Sequence, residues 1–295
     1  MAVRLGINPI TWTNDDLPSL GGDTPLEVCL DETRTAGFSG TEMGGKFPRR
    51  SVELAPILAR HHLDLVSGWY DGRIHEREIE AEWEAVLPHL TLLRDMGCRY
   101  VVYADTSGRS DGDLFAPISR RPRLSDGDWP DYGRRITRLA ERMAEFGVSM
   151  AFHHHMGTIV ETDAEVGRLM AATGEAVGLL YDTGHSLFSG GDPVALLKRH
   201  VGRVVHVHCK DIFLDARATD QSFMQAVLDG VFTMPGDGFV DFPDVLAILS
   251  DAGYAGWLVA EAEQDPAKAP PLTYARLGFA NLARLALQAG FSLDP

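Results

Sequence analysis

The sequence predicts an α/β chain folded as a parallel (β/α)8 TIM barrel, a single domain over residues 1–295, and three observations lead there. Short apolar runs alternate with longer segments of helical period from residue 3 to the end. Eight such runs occur, and a glycine repeatedly closes a helical segment just ahead of the next run. Strand, helix, glycine, strand repeated eight times is the pattern of a closed parallel barrel, with a doubly wound open sheet as its rival.

In chain order the predicted strands are VRLGIN (3–8), GTEM (40–43), LDLVSGW (63–69), RYVVYA (99–104), VSMAFH (148–153), VGLLYD (177–182), RVVHVH (203–208) and GWLVAE (256–261). Helix starts are marked by TPLE at 24–27 and TDAE at 162–165, both of capping-box form, and by Asp192 ahead of Pro193. Helix stops are marked by AGF (36–38), MGC (96–98), FGV (146–148) and AGY (252–254). The stretch 105–130, rich in Gly, Pro, Asp and Ser, is expected to be a long loop after the fourth strand, placed to cover the barrel mouth.

Composition narrows the function. A hydrophobic fraction of 45% over 295 residues suffices for a large core without staples. The formal charge of -15 is spread along the chain, which argues against nucleic acid or an anionic membrane as partner and leaves small neutral substrates open. Cys29, Cys98 and Cys209 have no CxxC spacing and read as structural thiols of a reducing cytoplasm. No run approaches the ~20 apolar residues needed to cross a bilayer.

Active sites of such barrels lie at the C-terminal ends of the strands. The last four runs end at His153, Asp182, His208 and Glu261, each after apolar residues. Strand alternation turns His153 and His155 toward the axis and His154 away, and puts His206 and His208 on one face that Lys210 continues. A carboxylate such as Glu261 at the end of an apolar run is costly to bury without a cation. Two imidazoles and two carboxylates suit one divalent first-row metal better than the all-oxygen shells of Ca²⁺ or Mg²⁺.

DTGH (182–185), HVHCKD (206–211), PGDGFVDF (235–242) and GYAGWLVAE (253–261) resemble the sugar isomerase/epimerase superfamily of xylose-isomerase-like barrels. GINPITWTNDD (6–16), GGDTPLE (21–27), GGKFPR (44–49), LVSGWYDG (65–72), HHHMGT (153–158) and EAEQDPAKAP (261–270) further resemble inosose dehydratases of myo-inositol catabolism, nearly end to end. That resemblance implies a cytoplasmic hydro-lyase that dehydrates scyllo-inosose (2-keto-myo-inositol) to 3D-trihydroxycyclohexane-1,2-dione with Mn²⁺ or Co²⁺. It leaves open a thiol such as glutathione and assembly into homodimers or tetramers. Two departures stand out: His153 takes the slot where the superfamily usually has Glu, and Asp105 stands where Glu is expected. Losing one of two paired carboxylates argues against proton transfer on both faces of a sugar carbon.

The expected metal ligands are therefore His153, Asp182, His208 and Glu261, and the expected catalytic groups Glu261, His185 and Lys210. Trp12, Glu42, Lys46, Trp69, Tyr70, His155 and His206 are expected to line the substrate pocket, with Asp211 and Glu263 orienting ligands from behind. The alternative is a ketose isomerase or epimerase acting on a related sugar or cyclitol. An endonuclease IV-like nuclease is disfavoured by the acidic charge, and a catalytically dead sugar-binding barrel by the intact set of ligands.

Overall fold

The computed structural model describes residues 1–213 and 220–294. Seven strands follow one another around the barrel: β1 (Ala2–Ile7), β2 (Gly40–Met43), β3 (Asp64–Gly72), β4 (Tyr100–Asp105), β5 (Ser149–His153), β6 (Val177–Asp182) and β7 (Val204–Cys209). After them β8 (Asp211–Ile212) and β9 (Phe232–Thr233) form a small antiparallel pair. The eighth barrel strand, β10 (Trp257–Ala260), lies between β7 and β1, and β11 (Ser292–Leu293) pairs with the start of β1. All barrel pairings are parallel, and closure sets Arg4 opposite Trp257 and Ile7 opposite Ala260. The closed barrel rules out the open doubly wound sheet.

Around it run α1 (Leu26–Ala36), α2 (Ser51–His61), α3 (Ile79–Asp95), α4 (Trp129–Phe146), α5 (Asp163–Ala172), α6 (Thr183–Phe188), α7 (Pro193–His200), α8 (Phe223–Leu228), α9 (Phe242–Asp251) and α10 (Pro271–Gln288). The alternation of strand side chains divides the core. Phe152, Tyr181, Val207 and Leu258 join the large apolar belt beneath the helices, while Val102, Ala151 and Leu180 form a small plug with Trp69. Above that plug the same inward parity reaches polar residues.

Helix ends follow local chemistry. Gly37, Gly97, Gly147 and Gly253, the predicted stops, all have positive φ, a conformation that closes a helix with little strain only for glycine. At α5 the reciprocal capping box forms between Thr162 and Glu165, and Asp192 caps α7 ahead of Pro193. The box expected at Thr24 does not form. Extended Pro25 is the residue before α1, its N-cap position has no side-chain hydrogen bond, and the Thr24 carbonyl instead accepts from the Lys46 ammonium.

Cys29, Cys98 and Cys209 are buried free thiols, and burial pushes all three pKa values up. Among the described residues no helix is long and apolar enough to cross a membrane.

Candidate metal centre

Register brings the predicted ligands to one end of the barrel, where ligand atoms of His153, Asp182 and His208 lie within 4.8 Å of one another, as do those of Asp182, His185 and Glu261. His153 pairs with Leu180, Asp182 with His208, and Val259 with His208, so the side chains of His153, Asp182, His208 and Glu261 share the inward parity of four neighbouring strand ends. All four are buried beside a cavity of about 800 Å³ that His153, His208 and Glu261 line.

Their tautomers are set from behind. The His153 Nδ1–H donates to the carbonyl of His154 at 2.8 Å, leaving Nε2 as a lone pair 3.8 Å from Asp182 Oδ2. His208 Nε2 donates to Glu42 at 3.1 Å, leaving Nδ1 3.6 Å from Asp182 Oδ2 and 2.7 Å from Glu261 Oε2. Close as that last pair is, it is not aligned as a hydrogen bond: His208 Nδ1, Glu261 Oε2 and Asp182 Oδ2 are all buried without a hydrogen-bond partner. Unpaired buried acceptors facing one another are costly unless a cation lies among them. Without a metal a proton takes the Nδ1 position instead: burial alone would push the His208 imidazole down, yet Glu261 and Glu42 overcome this and hold it well above the usual histidine range. The same field favours a bound cation. Separations of this size fit donors arranged ~2.0–2.2 Å from one ion, and mixed imidazole and carboxylate donors suit a divalent first-row metal.

The remaining predicted residues divide. Glu42 lines the cavity, and its oxygens are also taken up within the fold. Its carboxylate accepts from Asn8, Ser67, His206 and His208. Burial would raise its pKa, but the two histidines hold it well below the carboxylate range. His206, bound to Glu42 at 2.9 Å, lies outside the cavity wall. Trp69 does line the cavity, its indole edge-on to His153 and His155. His155 also lines it; burial holds this imidazole down at about 3, hence neutral, with Nδ1–H bonded to the Met156 carbonyl. Lys46 stands at the mouth, its ammonium donating to the Gly22 carbonyl at 2.6 Å.

Further expectations are corrected. Trp12 is fully buried, its indole N–H donating to Glu32 at 2.6 Å, and is not part of the cavity wall. Tyr70, by contrast, does line the cavity, its ring packed on His89 and Tyr103. Neither Lys210 nor His185 lines the cavity: the Lys210 ammonium bonds Glu261 Oε1 at 2.6 Å, Glu263 Oε1 at 2.8 Å and His185 Nε2 at 2.9 Å. His185 is accordingly neutral, held down by burial and the adjacent Lys210. Asp211 orients no ligand. Its oxygens accept from the backbone N–H groups of Ile212, Gly236, Gly238 and Val240 and thereby shape the PGDG loop.

Two residues carry more than sequence reasoning assigned. Glu263 lines the cavity, and burial raises its carboxyl to about 7 against the opposing pull of Lys210. Its position two residues past Glu261, hence of the same parity, was the signal available. The loop after β4 brings Arg109 to the cavity wall, 2.8 Å from Asp16 and 3.1 Å from Asp71. Asp105, the departure noted in the sequence, is structural: it accepts from the His75 N–H and from Ser107.

A family model described as a xylose isomerase-like TIM barrel matches residues 30–285. The rhizopine catabolism protein MocC of Rhizobium meliloti is 65% identical over 100% of this chain and 92% of its own length. An inosose dehydratase of Geobacillus thermodenitrificans is 42% identical over 92% of this chain and 94% of its own. Among solved structures, the IOLI protein with a binding zinc atom superposes with a TM-score of 0.65 at 17% identity, over 97% of this chain and 99% of that one, a likeness of fold. With that fold, and with identity above two fifths sustained across almost the whole length of a curated dehydratase, the chain belongs to the inosose dehydratases of the xylose isomerase-like TIM-barrel family.

Proposed function

We propose that this hydro-lyase removes water from a keto-inositol, scyllo-inosose being the expected substrate, with one divalent metal held by His153, Asp182, His208 and Glu261. The observation that carries the reading is the set of buried, unpartnered acceptor atoms of Asp182, His208 and Glu261 converging with the His153 Nε2 side of the cavity. Mn²⁺ and Co²⁺ fit the donor set. A bound ion of this kind supplies a Lewis acid that polarises a substrate carbonyl and makes the adjacent hydrogen acidic. The curated relatives, named for inosose dehydration and for rhizopine catabolism, support a role in breaking down inositol-derived compounds.

The chain's own residues divide the remaining work. Trp69 offers a flat apolar face to the ring, and neutral His155 keeps a lone pair on Nε2 to accept from a substrate hydroxyl. Glu263 is a carboxylate on the cavity wall whose Oε1 is fixed by Lys210. In this reading the C–H bond beside the carbonyl breaks with its proton going to Glu263, and the β C–O bond breaks as that proton returns to the departing hydroxyl, releasing water. Glu42 acts through His208, holding its ring in the tautomer that presents Nδ1.

The test is direct. Metal-free protein resupplied with Mn²⁺ or Co²⁺ and given 2-keto-myo-inositol should produce the ultraviolet absorbance of a dione and a product lighter by one water. A product of unchanged mass would instead establish the isomerase or epimerase alternative.

A further inference from the structure

We propose that Lys210 is a resident cation standing where a second metal ion would bind, and that this side chain restricts the centre to a single metal. The inference rests on the reading of His153, Asp182, His208 and Glu261 as the metal-holding set. An ammonium has three N–H donors, and here three acceptors take them: Glu261 Oε1 at 2.6 Å, Glu263 Oε1 at 2.8 Å and His185 Nε2 at 2.9 Å, with Asp182 Oδ2 at 3.9 Å. Every one of these neighbours is a metal-ligating group, and His155, His185 and Glu263 by themselves offer ligand atoms all within 4.8 Å of one another.

Glu261 links the two positions. Its Oε2 faces His208 Nδ1 at 2.7 Å and its Oε1 faces Lys210 at 2.6 Å, so one carboxylate serves two cation positions. Carboxylates shared in this way are at home between the ions of two-metal sites, which lie ~3.5–4 Å apart. In this chain one of the two positions is filled by an ammonium.

The lysine is built into that place. Thr183 Oγ1 donates to the Lys210 carbonyl at 2.6 Å and accepts from its N–H at 3.0 Å, and the ammonium lies 5.1 Å from the centre of the Phe232 ring. The stem fills the space left by Gly184, where a Cβ would come within 2.4 Å of Lys210 Cγ. The side chain is fully buried behind the cavity wall, so it cannot swing aside to admit an ion. A single positive charge here also leaves Glu263 on the cavity wall; a second divalent ion would claim both Glu263 and His185 as ligands.

Manganese titration of the metal-free full chain, read by elemental analysis and electron paramagnetic resonance, tests the proposal without reference to activity. Wild type should bind one Mn²⁺ per chain with an isolated-ion signal, Lys210→Arg should remain at one, and Lys210→Ala should rise to two with an exchange-coupled signal. If circular dichroism shows that Lys210→Ala does not fold, Lys210→Gln, which keeps the stem and removes the charge, should show the same rise to two. A folded Ala or Gln variant that stays at one ion, or a wild type that takes two, overturns the proposal and leaves the four-residue site standing. A wild type that binds none overturns that site as well.

Discussion

The strand ends of β5, β6, β7 and β10 and those of β2, β3 and β4 open on the same cavity but carry different chemistry. The first group presents Asp182, His208 and Glu261, each with a buried atom lacking a hydrogen-bond partner, beside the His153 Nε2. The second presents Glu42, Ser67, Trp69 and Asp105, whose polar atoms are bound within the fold. Glu42 shows what the difference means: it reaches across the barrel to histidines 164 and 166 residues away. In the proposed reading one half of the barrel grips the ion, and the other holds the grip in shape.

The comparison breaks most severely when the gripping half is changed. His208→Ala or Asp182→Asn should weaken Mn²⁺ or Co²⁺ binding by more than ~100-fold, beyond the usual cost of losing an orienting partner, and abolish dione formation; calorimetric metal titration and product absorbance check both. Changing the supporting half should do less. Glu42→Gln, which retains the shape but not the charge behind His208, should lower metal affinity by ~10–100-fold while the ligands remain.

At the seam between the halves lies Asp111, buried with neither oxygen hydrogen-bonded, 3.7 Å from Arg109 Nε and 3.5 Å from His155 Nδ1. Burial raises its carboxyl to about 7, against the pull of Arg109. An unfolded Asp titrates near ~3.9, so between those values the folded state binds the proton more tightly. This residue's contribution to stability therefore falls as pH rises from about 4 to about 7 and levels off above. Asp111→Asn should match wild type near pH 4 and exceed it above pH 7 by on the order of 1–3 kcal/mol, measured as denaturation midpoints across pH. The smallest effect is local: Thr162→Ala should cost ~1 kcal/mol by removing the cap of α5, whereas Thr24→Ala, at the box that does not form, should change stability by no more than a few tenths.

The particular residues show where sequence reading reached. His153, Asp182, His208 and Glu261 were visible because each ends an apolar run, and strand parity is a local property. Glycine stops were visible for the same reason. Trp69 and Tyr70 were visible in the same way, at the end of the third apolar run, and both line the cavity. Trp12, His185 and Lys210 could not be sorted this way, since a place near a strand end does not say whether a side chain opens on the cavity or is sealed behind a neighbour. The Thr24 box failed because Pro25 stays extended and the helix begins at Leu26, one residue later than the pattern implied.

By itself, then, the order of residues determined the alternation of strands and helices, most of their ends and the inward polarity of four strand termini, because periodicity, capping and parity act over a few residues. The closed barrel decided what meets across it: Glu42 behind His208, Lys210 among Glu261, Glu263 and His185, and Asp211 beneath the PGDG loop. Those contacts depend on hydrogen-bond directions and burial between groups far apart in the chain, and both are set only when the last strand returns to the first.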